Sequence, residues 1–241
     1  MTTVLLVRHG RTQANTSGIL AGRTPGVTLD EVGQTQVEEA GRRLAPIPLR
    51  ALVSSPLERC RQTAEALQSA RSDGLGISIE EGLIECGYGD WTGRSLKDLS
   101  KDKLWKLVQS QPSAVRFPNG ESMTEMSARS VGSIRSWDER LTERHGEDAV
   151  WVAVGHGDVI KAIMADALGM HLDSFQRILI DPASVSVVRY TSTRPYVIKV
   201  NSTTAELSAL FKAPAKRPRS RRAPHHDAPV GGGLGAAEAV G

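Results

Sequence analysis

The sequence predicts an α/β fold: a three-layer sandwich whose mostly parallel sheet carries helices on both faces and an antiparallel edge. Three observations carry this expectation. Strand-like apolar runs alternate with segments of helical period, the pattern of a parallel sheet wound between helices. The runs at 4–7, 51–53 and 150–154 are apolar throughout, as strands buried on both faces must be. The runs at 185–190 and 196–200 are joined tightly around Pro195 and read as a hairpin closing one sheet edge. At 241 residues, 39% of them hydrophobic, the chain can build one sizeable domain with an appendage. No internal repeat is present.

The elements follow in order. The first run ends in Arg8-His9-Gly10, so the strand delivers an arginine and a histidine at its carboxyl end, where open α/β sheets keep their ligand crevices. Gly10 allows a sharp turn and the close approach of a ligand. A helical pattern spans 30–44. After the run at 51–53, Ser54 and Ser55 are suited to cap the next helix (57–70) and Pro56 to occupy its first turn. Arg59, one turn in, points back over the sheet edge. A glycine-punctuated loop at 83–93 carries Glu85. Leu96, Leu99, Leu104, Trp105, Leu107 and Val108 recur at helical spacing and predict a helix covering the site. A helix follows at 123–142. The run at 150–154 then delivers Gly155-His156-Gly157 in a context like that of His9, and a helix at 159–168 stops at Gly169.

Either histidine alone reads most simply as a loop or capping residue. Two arginines, two histidines and a glutamate, all on strand-to-helix connections, make that reading insufficient. Together they are the parts of a phosphoryl-handling site. With Thr12 and Asn15 after Arg8-His9-Gly10, Gln62, Thr63 and Ala64 after Ser54-Ser55-Pro56-Leu57 and Arg59, Glu85 before Gly89-Asp90-Trp91-Thr92-Gly93, and finally Val154-Gly155-His156-Gly157, the chain resembles the histidine phosphatase superfamily, also called phosphoglycerate mutase-like or RHG. The order is the family's, and the resemblance covers roughly residues 3–200. The stretch 155–195 is similar to an actinobacterial branch of phosphomutase- or phosphatase-like proteins.

The resemblance implies a catalytic set of His9, Glu85, Arg8, Arg59 and His156, with Arg8, Asn15, Arg59 and His156 binding the substrate phosphate. Each residue type suits its role. A neutral imidazole is a competent nucleophile and yields a labile phosphoramidate. Forked guanidinium donors hold the spread charge of a phosphoryl group. His156, where protonated, adds a donor. Glu85 would supply a proton to the leaving alcohol and later activate water. Arg11 and Ala21 stand where many relatives carry glutamate and glutamine. Gly22-Arg23-Thr24 is left to shape access to the site, and the plainer reading of Arg23 is a solvated loop residue. Phosphoglycerate mutases carry a longer insertion with basic contacts between the acid and the second histidine. Here residues 97–120 are short and lack it. The expectation is therefore a cofactor-independent phosphatase acting on a small phosphomonoester through a phosphohistidine; the alternative is a phosphomutase, which would need a phosphorylated primer.

Cys60 and Cys86 are expected as free thiols of a cytoplasmic protein, because the chain runs directly into its first strand with no signal peptide or membrane span. No metal is expected, since no His-Glu-x-x-His or Cys-x-x-Cys occurs. Residues 1–205 read as the catalytic domain and 206–241 as a basic, Pro/Gly-rich disordered tail. From 211 onward six Lys/Arg face two Asp/Glu, a net +4, so the remaining 210 residues carry −1 of the total +3. Such a composition cannot bury enough apolar surface to order itself. It offers nucleic acid a contact, although a solvated extension is the plainer reading. A small phosphorylated substrate is the expected partner, and a homodimer is left open.

Overall fold

The computed structural model describes residues 1–204 and Gly231; the rest of the expected tail lies outside the described residues. Six strands form one sheet: β1 (Thr3–Arg8), β2 (Leu49–Ser54), β3 (Ile77–Ile79), β4 (Val150–Gly155), β5 (Val185–Arg189) and β6 (Tyr196–Ser202). Their spatial order is β3-β2-β4-β1-β5-β6. The first four in that order run parallel, β5 runs antiparallel to β1, and β6 runs antiparallel to β5. The parallel sheet and its antiparallel edge are those expected from sequence. β3 was not, because Ile77-Ser78-Ile79 is too short to show a period.

The pleat sends alternate residues of each central strand to opposite faces. Val4, Leu6, Ala51, Val53, Trp151 and Ala153 pack toward α6 (Met123–His145) and α7 (Gly157–Ala167). Leu5, Val7, Leu52, Val152 and Val154 pack toward α2 (Glu31–Leu44) and α3 (Glu58–Ser69). Both faces are therefore covered, which is why these runs read as uniformly apolar.

Several helix ends follow from their sequence. Asp30 accepts a hydrogen bond from the Gly33 amide at the start of α2, and Ser122 with Glu125 forms a reciprocal capping box on α6. Gly169 adopts φ +65° just beyond α7. The start of α3 differs from expectation. Neither serine caps it: the N-cap is Leu57, with no side-chain hydrogen bond, and the helix begins at Glu58, beyond Pro56. The Ser54 hydroxyl bonds to the Ser55 carbonyl, and the Ser55 hydroxyl is taken by His156. The expected covering helix is also broken, into α4 (Leu96–Leu99) and α5 (Lys103–Ser110). Both Ser95 and Asp102 cap helix starts there, so the segment restarts rather than continuing.

Because β4 lies between β2 and β1, the residues leaving these three strands emerge side by side. The His9 amide bonds to the Gly155 carbonyl at 3.0 Å, and the Ser55 amide to the Val154 carbonyl at 3.0 Å. The carboxyl edge of the sheet thus gathers His9, Ser55 and His156 from segments about 50 and 150 residues apart. Among the described residues no helix is long and apolar enough to cross a membrane.

Candidate active site

One pocket at this edge is lined by His9, Asn15, Arg59 and Glu85, among others. Arg8 and His156 are buried directly behind it, so the structure brings all six expected site residues together. The His9 and His156 ring centroids lie 5.3 Å apart, with the planes at 61°.

His9 is 3% exposed, and its Nδ1 lies 2.7 Å from the Gly10 carbonyl oxygen. An oxygen acceptor assigns the ring proton to Nδ1, which leaves the Nε2 lone pair available. Burial first, then the guanidinium groups of Arg59 and Arg8, hold this imidazole well below its ordinary pKa, so it is neutral at physiological pH. Gly10 itself serves packing rather than ligand approach. A Cβ there would lie 2.6 Å from the Gly33 carbonyl oxygen and 2.7 Å from Val37 Cγ1, so any side chain would push α2 away.

Arg59 sits in the first turn of α3 and is 2% exposed. Its Nη2 donates to the Gly22 carbonyl at 2.7 Å and to His156 Nδ1 at 3.2 Å. Its Nη1 is buried without a hydrogen-bond partner. A buried guanidinium nitrogen is costly to leave unsatisfied, so this atom marks where an anion would be welcome. Arg8 donates to the Ile180 carbonyl at 2.8 Å, and burial lowers its pKa to about 10, still charged at neutral pH.

The sequence allows His156 a donor role where it is protonated beside a phosphate; its hydrogen bonds here are those of a neutral ring. Its Nδ1 accepts from Arg59, and its Nε2 lies 2.8 Å from the Ser55 hydroxyl, to which it donates as the neutral ring. Burial and Arg59 hold its pKa well below the ordinary value. Asn15 closes a capping box with Thr12 around α1 (Gln13–Thr16), its carbonyl accepting from the Thr12 amide and hydroxyl.

Glu85 is 3% exposed and accepts the Cys86 amide at 2.9 Å. Burial, then the negative charge of Asp158, pushes its pKa up to about 7. A carboxylic acid that still holds its proton near neutrality can protonate a leaving group.

Six neighbours of the site have roles that the sequence did not assign them. Asp158, in the first turn of α7, is fully buried; it accepts from Tyr88 Oη at 2.7 Å and from the Gly231 amide at 3.0 Å, and lies 3.5 Å from the buried Lys161 Nζ. Arg129 and Glu121 brace the acid loop. Arg129 donates to the carbonyls of Gly82, Ile84 and Glu85 at 2.7–3.1 Å and pairs with Glu121 at 2.7 Å. Arg23 joins them, donating to the Glu85 carbonyl at 2.8 Å and pairing with Glu121 at 2.9 Å, so it is a brace and not simply a solvated residue. Ser55 and Tyr88 complete the group. The spacing of Asp158 from His156 was a usable signal; the bracing by Arg129 was not, because its partners are mostly backbone carbonyls. Ala21 and Gly22 do line the pocket, while of the predicted covering segment only Leu96 does. Gly231, beyond the expected domain boundary at 205, also lines it.

Residues 4–203 match the histidine phosphatase superfamily (branch 1). The chain belongs to that superfamily. Within it, the chain is 29% identical over 205 residues to phosphoserine phosphatase 1 of Hydrogenobacter thermophilus, covering 84% of this chain and 93% of that one. It is 30% identical over 193 residues to the probable phosphoglycerate mutase GpmB of Cronobacter sakazakii, covering 79% and 86%. Among solved structures, a mycobacterial glucosyl-3-phosphoglycerate phosphatase complexed with VO3 superimposes with a TM-score of 0.73 at 25% identity, covering 83% of this chain and 99% of that one. Like these relatives, the chain is an enzyme of the histidine phosphatase type. Its two cysteines are free and buried, and burial pushes the Cys60 thiol up to about 12.

Proposed function

We propose that the chain hydrolyses a small phosphomonoester, with His9 as nucleophile and Glu85 as acid and then base. The observation that carries this reading is the tautomer of His9: the Gly10 carbonyl holds Nδ1–H, so Nε2 presents a lone pair toward a pocket it shares with Arg59 and Glu85. Nε2 attacks phosphorus as the bond to the ester oxygen breaks, and Glu85 gives that oxygen its proton. The phosphoryl charge is met by Arg59, whose Nη1 has no other partner, with Arg8 and Asn15 adding to it. The Glu85 carboxylate then takes a proton from water, the oxygen attacks phosphorus, the P–N bond breaks, and phosphate leaves. His156, neutral between Arg59 and Ser55, keeps the Arg59 fork aimed.

Hydrolysis is favoured over phosphoryl return because residues 97–120 send no basic side chain to the pocket; of the two short helices there, only Leu96 lines it. Wild type and His9→Ala assayed side by side on a panel of phosphorylated metabolites test the reading. Phosphate release by wild type alone is expected. Equal release by both proteins, or transfer to a second metabolite without net hydrolysis, would overturn it.

A further inference from the structure

Beyond the phosphate-handling residues and Thr12, the pocket wall is made of Ile19, Leu20, Ala21, Gly22, Leu96, Tyr88 and the main chain of Gly231. Arg59 is the only lysine or arginine among the described residues lining it, and that residue belongs to the phosphate. Neighbouring cations are engaged elsewhere. Arg11 pairs with Asp30 at 2.8 Å, Arg23 pairs with Glu121 at 2.9 Å, and Arg94 faces Asp102 at 4.0 Å, while Lys97 belongs to the exposed surface. Of the polar side chains that line it besides the phosphate-handling ones, the Thr12 hydroxyl donates to Asn15 Oδ1 and the Tyr88 hydroxyl donates to Asp158.

We propose that this pocket takes the phosphate monoester of an uncharged, largely aliphatic alcohol and rejects leaving groups that carry a carboxylate or a second phosphate. The inference rests on the phosphatase reading and adds the substrate class to it. Moving a carboxylate from water against Leu20 and Leu96, with no cation but Arg59 among the described lining residues, costs far more than contact returns. The buried carboxylate of Asp158, behind Tyr88, adds a like charge on the same side. An aliphatic alcohol meets the opposite balance, since each of its methylene groups leaves water for an apolar wall. The phosphoserine and phosphoglycerate in the names of the relatives both carry a carboxylate, so the proposal gives this chain a different substrate class.

The test compares esters matched in size. Values of kcat/KM for n-butyl phosphate are measured against 3-phosphoglycerate and phosphoserine with the full chain. The uncharged ester is expected to be preferred about tenfold or more, the ratio for ~1.4 kcal/mol of discrimination. Equal or better turnover of the carboxylated esters would overturn the proposal. Calorimetric binding of n-butylphosphonate and 3-phosphonopropionate, which no phosphatase can hydrolyse, provides an arm independent of turnover. Tighter binding of n-butylphosphonate supports the proposal even where no ester is hydrolysed, a result that would remove only the phosphatase reading. Equal affinity, or tighter 3-phosphonopropionate binding, would overturn it.

Discussion

Replacing Glu85 by glutamine should make the protein more stable and less active, in a pH-dependent way. The folded state lifts this acid from 4.5 to about 7. A group whose folded pKa is raised contributes stability below its unfolded pKa and loses that contribution as pH rises through the folded value. The wild type is therefore penalised progressively from about pH 4.5 to 7, and fully above that window. At ~1.4 kcal/mol per pH unit, the penalty is about 3 kcal/mol at most, since local relaxation and water entry share it. Glutamine keeps the shape and can still accept the Cys86 amide without ever ionising. Thermal melts from pH 4 to 8.5 should show the variant indistinguishable from wild type at the acid end. At pH 8 it should melt higher, by at most roughly 6–12 °C, from the usual scaling for a domain of this size. The same variant should turn over esters with poor leaving groups about 10²–10⁴-fold more slowly, and aryl phosphates with good leaving groups much less so. A melting gap independent of pH would refute the buried-acid reasoning, and equal losses across the leaving-group series would refute the proton-donor role.

Other outcomes follow from the same geometry. Asp158→Asn removes the charge that helps hold the Glu85 proton, so the alkaline limb of kcat/KM should move toward lower pH by about one unit; a reduced rate with an unmoved limb would mean that Asp158 only packs. Arg129→Ala leaves the carbonyls of Gly82, Ile84 and Glu85 without their donor, and kcat should fall about 10–10²-fold with KM changed less. Arg129→Lys should recover part of that loss, and a variant with wild-type kcat would rule out bracing of the acid. Cys60, buried and held as a thiol, should resist iodoacetamide at pH 8 in the native enzyme; rapid inactivation by labelling at that residue would contradict its environment.

The fold was legible where burial imposed a period. The uniformly apolar central strands and the amphipathic α2, α3 and α6 declared themselves, because two covered sheet faces demand such patterns. β3, with three residues, was not legible. The chemistry of the site was legible for the same reason in reverse: Arg8, His9, Arg59, Glu85 and His156 are charged or polar at places where an apolar residue would otherwise stand. What surrounds them was not. Ser55 has the right chemistry for a helix cap, and only the adjacency of β2 and β4 shows that it bonds to His156 instead. Arg23 looks like a loop residue until the fold brings Glu85 and Glu121 to it across 62 and 98 residues. Gly10 reads as a ligand-approach glycine, yet α2 fills the space a side chain would need. These contacts depend on which segments meet, and no local pattern states that.

The central claim is that phosphate passes through His9 Nε2. A wild-type turnover reaction quenched in strong base, where phosphoramidates survive, and digested for mass spectrometry should show phosphate on the peptide containing His9. The signal should be absent in His9→Ala and enriched in Glu85→Gln with an aryl phosphate, where the intermediate forms but water is poorly activated. Phosphate on a serine or cysteine, or labelling that persists in His9→Ala, would contradict the account.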